Sequence, residues 1–106
     1  MRDLEELIGA LGGFEWDVGN AQKSWGSHHV TQAESEEVFF NLPVFVLEDA
    51  KHSSRERRYN VLGRTNADRL LSVIFTIRGD LVRVISARPM SRKERTAYDH
   101  VPPEAR

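Results

Sequence analysis

Leu70-Leu71-Ser72-Val73-Ile74-Phe75-Thr76-Ile77-Arg78-Gly79-Asp80-Leu81-Val82-Arg83-Val84-Ile85-Ser86-Ala87 is the stretch on which the fold turns. Two runs rich in β-branched and apolar residues flank Arg78-Gly79-Asp80, a Gly-containing link short enough for a hairpin. Leu70 to Ile77 and Leu81 to Ala87 are therefore expected to be antiparallel neighbours. Strand parity then puts residues 83, 85 and 87 on one face and 82, 84, 86 and 88 on the other. Arg83 and Arg88 face opposite sides unless a bulge, or the strand's end near Pro89, re-aims Arg88.

Upstream of the hairpin, Val44 to Leu47 and Tyr59 to Leu62 have the same extended, apolar character, with a turn at Gly63 to Asp68. Phe14-Glu15-Trp16 alternates like a further short strand, and Asp17 is a fair N-cap for a helix running toward Gly26. Thr31 with Glu34 makes a capping box opening a short helix, which should bury Ala33, Val38 and one or both of Phe39 and Phe40. Trp16 and Trp25 are read as core anchors. Downstream, Pro89 biases Arg88 away from helix, and Ser91 with Glu94 is a second capping box. A last helix is expected from Arg92 to about His100, before Pro102 and Pro103. Leu4, Leu7, Ile8 and Leu11 recur at helical spacing, so residues 2 to 11 read as an appended amphipathic helix ended by Gly12 and Gly13. The expected organisation is a helical extension over 1–13 and a single domain over 14–106. Its class is α+β: an antiparallel sheet of about four strands plus a short N-terminal strand, with N-terminal helices and a C-terminal helix.

The 106 residues contain no cysteine and four histidines, which excludes a disulfide framework and thiolate zinc ligation and leaves no metal motif. No run approaches the roughly 18 apolar residues of a membrane span, so neither a membrane nor a cofactor is expected, and the cytoplasm is the expected location. The formal net charge of −1 conceals two unlike halves. Residues 1–50 carry two basic against ten acidic residues, net −8, whereas residues 51–106 carry thirteen against six, net +7. Surface potential is local on the ten-ångström scale of salt screening, so the second half can meet a polyanion although the chain as a whole is acidic.

The run Arg69 to Arg88, with Ile85-Ser86-Ala87-Arg88 and then Glu94-Arg95 and Tyr98, closely resembles the C-terminal signature of the BrnT family of toxins. Earlier pieces match in the same order: Phe14-Glu15-Trp16-Asp17, His28 and Val30, Glu37-Val38-Phe39, Asp49, His52, Glu56, Arg58 and Gly63. The resemblance covers roughly residues 14 to 98. It implies a small type II toxin with a RelE-like fold, a ribonuclease that cleaves RNA without metal and inhibits translation. It also implies a BrnA-like antitoxin with a ribbon-helix-helix part, through which alone operator DNA is bound. Departures accompany the matches. Ser27-His28-His29 stands where the family usually has Lys-His-Gly, Ser24 where it often has Asn, and Ile77 where it frequently has Glu. The missing lysine motivates an alternative reading, a toxin-fold module that binds antitoxin or RNA without cleaving.

Metal-independent RNA cleavage needs a base for the 2′-hydroxyl, cations for the pentavalent phosphate and an acid for the leaving oxygen. Arginine suits the phosphate role because its fork donates two hydrogen bonds and keeps its charge. The catalytic candidates are Arg83, Arg88 and, at a matched loop position, His28, the residue type best suited to proton transfer near neutrality. Further RNA contacts are expected from His52, Arg58 and Arg78, and from Arg92, Lys93 and Arg95 at the start of the last helix. Tyr98, on the same helical face as Arg95, either stacks on a base or seals the helix to the sheet.

Overall fold

The computed structural model describes residues 12–49, 51 and 55–105. The helix expected over residues 2 to 11 lies outside them. In chain order the elements are β1 (Gly13–Glu15), α1 (Val18–His28), α2 (Gln32–Glu37), β2 (Phe45–Glu48), β3 (Tyr59–Arg64), β4 (Leu70–Arg78), β5 (Leu81–Pro89) and α3 (Arg92–Asp99). One five-stranded sheet runs in the order β1-β5-β4-β3-β2. The α+β class, the short first strand and the terminal helix are as the sequence implied. β2 to β5 pair antiparallel, and β1 joins β5 in parallel, with Glu15 opposite Arg83. Strand β1 therefore delivers a carboxylate of the acidic half to the middle of the basic half.

The hairpin forms as the alternation demands, with Gly79 taking the positive φ of 61° that its turn requires. Leu71, Val73 and Phe75 of β4 are fully buried on one face, together with Val61 of β3 and Val84 of β5. Each such side chain contributes about 1.5–3 kcal/mol of hydrophobic stabilisation. Val30, Val38, Phe39 and Val44, from the segments around α2, close this core from above. Phe39 sets its ring edge-on to both Phe14 and Phe75, at 5.4 and 5.1 Å. Gly63 lets the chain cross directly over β3, because a Cβ there would stand 2.8 Å from the Val38 carbonyl oxygen.

Pairing in the hairpin is not uniform. Phe75 stands opposite Val84 but Ile74 stands opposite Ser86, so Ile85 is an extra residue, a β-bulge. The bulge reverses the parity of β5. Val82, Val84 and Ala87 all reach the core, which strict alternation forbids, and Arg83, Ser86 and Arg88 consequently share the opposite face. The simple parity argument separated the two arginines, and the bulge reunites them.

Helix α1 lies along the edge of β5 beyond the end of β1, and its inward residues are polar for that reason. Asn20 donates from Nδ2 to the carbonyls of Glu15 and Val84, at 3.0 and 2.9 Å, while Ser24 Oγ accepts from the Ala87 N–H at 2.7 Å. These contacts satisfy backbone groups that the missing neighbour strand would otherwise leave unpaired. The same geometry corrects the expected role of Trp25. It sits on the outer side of α1, 54% exposed and stacked on His29 rather than anchoring the core. Helix α2 is short, so the chain reaches the core only after it has ended. Val38 and Phe39 are buried, whereas Ala33 is exposed and Phe40 is 70% exposed.

Helix α3 packs on the second face of the sheet, at one end only, through Tyr98 against Leu62 and Met90. The Tyr98 hydroxyl donates to the Pro43 carbonyl at 2.6 Å. Beyond α3, this second face carries Arg83, Ser86 and Arg88.

Candidate functional site

Register assigns the residues of the open face. Asn60 of β3, Ile74 and Thr76 of β4, and Arg83, Ser86 and Arg88 of β5 all point there, and Arg78 ends β4 on the same side. Two adjoining hollows line it. One, of about 490 Å³, is walled by Lys23, Asp49, Arg58, Asn60, Ser86 and Arg88 among others. A second, of about 220 Å³, is walled by Asn20, Glu56, Arg58, Arg78, Arg83 and Ile85. Arg58 and Ile85 belong to both, so the hollows form one groove across the sheet with the bulge at its middle.

Arg58, just before β3, Arg78 from β4, and Arg83 and Arg88 from β5 therefore line one groove. Three of them are held by one or two carboxylates each. Arg83, 16% exposed, donates from Nη1 to Glu15 Oε1 at 3.0 Å and reaches Asp17 Oδ2 at 2.9 Å. Asp17, with Glu15 contributing after it, holds the Arg83 guanidinium more firmly protonated than usual, against the opposing effect of burial. In return Arg83 does most to hold Asp17 below the ordinary carboxylate range, with the Asn20 N–H of its N-cap adding to it. Arg78 grips both oxygens of Glu56, at 3.3 and 3.2 Å, and approaches Glu15 at 3.5 Å.

Arg88 forms a fork with Glu94, at 2.7 and 3.0 Å, and also donates to the Pro89 carbonyl. Glu94 is at the same time the capping-box residue of α3, accepting from the Ser91 N–H at 2.8 Å and from Ser72 Oγ at 3.2 Å. Burial opposes its ionisation, yet the Arg88 guanidinium and the Ser91 N–H outweigh it and hold the carboxyl at about 2. The groove is thus largely charge-compensated, with the guanidinium forks of Arg78, Arg83 and Arg88 already aimed and occupied by carboxylates.

Other sequence candidates fall elsewhere. His28 is the last residue of α1, and its main-chain carbonyl accepts from Arg69 Nη2 at 3.1 Å. It lines neither hollow. Asp17, the partner of Arg83, caps the other end of that helix, about 16 Å away along its axis at 1.5 Å per residue. Arg92, Lys93 and Arg95 are exposed on α3 beside the Arg88 end of the groove, and their side chains enter no ion pair among the described residues. Tyr98 takes the sealing role of the two that sequence left open, since its ring is buried and its hydroxyl is engaged. His52 lies outside the described residues.

Sequence reasoning missed Asn20 and Ser24 as the tethers that hold α1 to the bulge, and Glu15, Asp17, Glu56 and Glu94 as members of the site. The capping spacings of Asp17 and Glu94 were legible, but their second allegiance to arginines distant in sequence was not. Among the described residues no helix is long and apolar enough to cross a membrane.

A family model described as the ribonuclease toxin, BrnT, of type II toxin-antitoxin systems matches residues 16–94, well over half of the chain and spanning all four groove arginines. No curated protein matches the chain.

Proposed function

The chain belongs to the BrnT family of type II toxin-antitoxin ribonuclease toxins, and from that premise we propose that it cleaves RNA without metal in the groove on the open face of its sheet. The observation that carries this reading is the bulge at Ile85, which gives Arg83 and Arg88 a common face with Arg58 and Arg78. A phosphate entering the groove exchanges with the carboxylates now held by these arginines, and the guanidinium forks then carry the charge that grows on the phosphorane. Arg92, Lys93 and Arg95 extend the cationic track for the flanking backbone.

The family implies an antitoxin. Our reading takes it to be a BrnA-like ribbon-helix-helix protein that covers the groove with complementary side chains, operator DNA being reached only through it. RNA cleavage in the cytoplasm then inhibits translation until the antitoxin binds.

The test is cleavage of RNA in EDTA by the purified protein and by Arg83→Ala, Arg88→Ala and His28→Ala, each checked for folding. Loss of a phosphate-holding arginine should cost about 10²–10³ in rate, the scale of removing one transition-state donor. Undiminished cleavage in all three variants, or none by the wild type, removes the reading. His28 takes part in proton transfer only if RNA spans from the groove to the end of α1, and its variant reads that out directly.

One observation favours a second reading, a module that binds without cleaving: Arg78, Arg83 and Arg88 are all already satisfied by carboxylates. Growth arrest on expression of the wild type, relieved by Arg83→Ala with folding intact, argues decisively against it.

A further inference from the structure

The geometry points to Glu56 as the general base of this groove, the group that takes the proton of the attacking 2′-hydroxyl. This inference rests on the ribonuclease reading above and deepens it. Among the described residues Glu56 is the single carboxylate lining the smaller hollow, where it stands with Arg58, Arg78 and Arg83. A base must lie within hydrogen-bond reach of the proton it removes while cations hold the phosphate next to it. A phosphate seated between Arg78 and Arg83 meets that condition for Glu56, because Arg78 already holds both Glu56 oxygens. His28 meets no such condition, since it lines neither hollow.

The backbone that carries Glu56 is itself positioned. Thr76, 1% exposed, donates from Oγ1 to the Arg57 carbonyl at 2.7 Å, and Asp49 N–H donates to the Arg58 carbonyl at 2.8 Å. Both bonds tie the segment following Glu56 to the sheet, so the carboxylate is presented from a fixed strand entry.

Charge exchange gives the carboxylate its basicity at the right moment. Arg78 does most to hold Glu56 below the ordinary carboxylate range, against burial, with Arg58 and Arg83 assisting. When phosphate takes the forks of Arg78 and Arg83, that hold is shared with a second anion, and the affinity of Glu56 for a proton rises. Glu15 also touches both arginines.

The step balances. The 2′-oxygen bonds to phosphorus as its proton passes to Glu56. The P–O5′ bond breaks, its electron pair leaves with O5′, and O5′ takes a proton from water. Glu56 then returns its proton to solvent, leaving a 2′,3′-cyclic phosphate and a 5′-hydroxyl.

The experiment compares wild type, Glu56→Gln, Glu56→Asp and Arg83→Ala on RNA in EDTA, with affinity measured on the same RNA carrying a 2′-deoxy nucleotide at the cleaved position. For Glu56→Gln, kcat should fall about 10²–10⁴-fold, the usual contribution of a general base. RNA affinity should hold or tighten, since a negative charge leaves the groove, and the acidic limb of the pH–rate profile should disappear. Glu56→Asp should retain part of the rate. A merely structural Glu56 would instead weaken binding and leave the acidic limb in place, and that result overturns the proposal. So does Glu56→Gln activity of the same order as wild type while Arg83→Ala is inactive, which removes Glu56 and spares the ribonuclease reading. Wild type without cleavage removes both, whereas Arg83→Ala as active as wild type removes the phosphate seat beside Glu56, and with it this proposal, and spares the ribonuclease reading.

Discussion

Replacing Glu94 by Gln tests the junction between α3 and the groove with a magnitude that follows from the structure. A carboxyl held at about 2 instead of the ordinary 4.5 binds its proton more weakly in the fold by the equivalent of about 3 kcal/mol. Glu94 is only 18% exposed, but Arg88 is 42% exposed, so solvent screening reduces the charge contribution to about 2 kcal/mol. The sign follows from linkage. The folded carboxyl titrates below the unfolded one, so its stabilisation is fully present above about pH 5 and is lost as pH falls toward 2. Gln keeps one oxygen, which serves the Ser91 N–H, while surrendering the charge and the second acceptor; the Ser72 hydroxyl retains its bond to Asn60 Oδ1. Urea unfolding at a series of pH values should therefore find the variant about 2 kcal/mol less stable at pH 7, with the gap closing between pH 5 and pH 2. A gap of constant size across that range, or none at pH 7, refutes the reasoning. Because Arg88 loses its anion in this variant, RNA affinity should rise even as stability falls.

Three further substitutions probe the frame. Gly63→Ala drives a Cβ to within 2.8 Å of the Val38 carbonyl and 2.9 Å of the fully buried Val38 side chain, so thermal unfolding should reveal a loss of about 1–3 kcal/mol. Ser24→Ala strands the buried Ala87 N–H at the bulge. It should cost about 1–3 kcal/mol in chemical denaturation and speed hydrogen exchange at Ala87. Tyr98→Phe removes the bond to Pro43 while keeping the ring that packs on Leu62 and Met90, so about 1 kcal/mol of stability should go with RNA cleavage unchanged.

How far the sequence discloses the fold depends on which physical signal each element carries. The hairpin and β3 declare themselves by period, because one face is buried and the side chains alternate. The helices α2 and α3 declare themselves by capping boxes, and both boxes are present. Helix α1 has a legible cap at Asp17 but no apolar stripe, since it faces the backbone edge of β5 with Asn20 and Ser24. The bulge left no mark in composition: Val84-Ile85-Ser86 reads as ordinary strand, and only pairing with β4 and α1 exposes Ile85 as supernumerary. That one residue decides whether Arg83 and Arg88 belong to one site. The arginines were therefore nameable from sequence, and their convergence was not. The addition of β1 in parallel to β5 was equally silent, and it is this addition that brings Glu15 to Arg83.

The polarity of the chain acquires a different meaning once β1 is in place. Two halves of −8 and +7 suggest a basic lobe open to a polyanion. In the fold, the first half sends Glu15 and Asp17 onto Arg83, and the second half supplies its own Glu56 and Glu94 to Arg78 and Arg88. The acids orient the guanidinium forks, limiting the side-chain entropy that a phosphate must overcome on binding. They also set a threshold, because an incoming anion must outcompete a carboxylate at each fork. A backbone presenting successive phosphates can do so at several forks together and gain from the exposed Arg92, Lys93 and Arg95 alongside, whereas an isolated phosphate must do it alone. On the proposed reading, selection for a polyanion over a free anion follows from pairing within the groove, a property that the net charge of either half does not express.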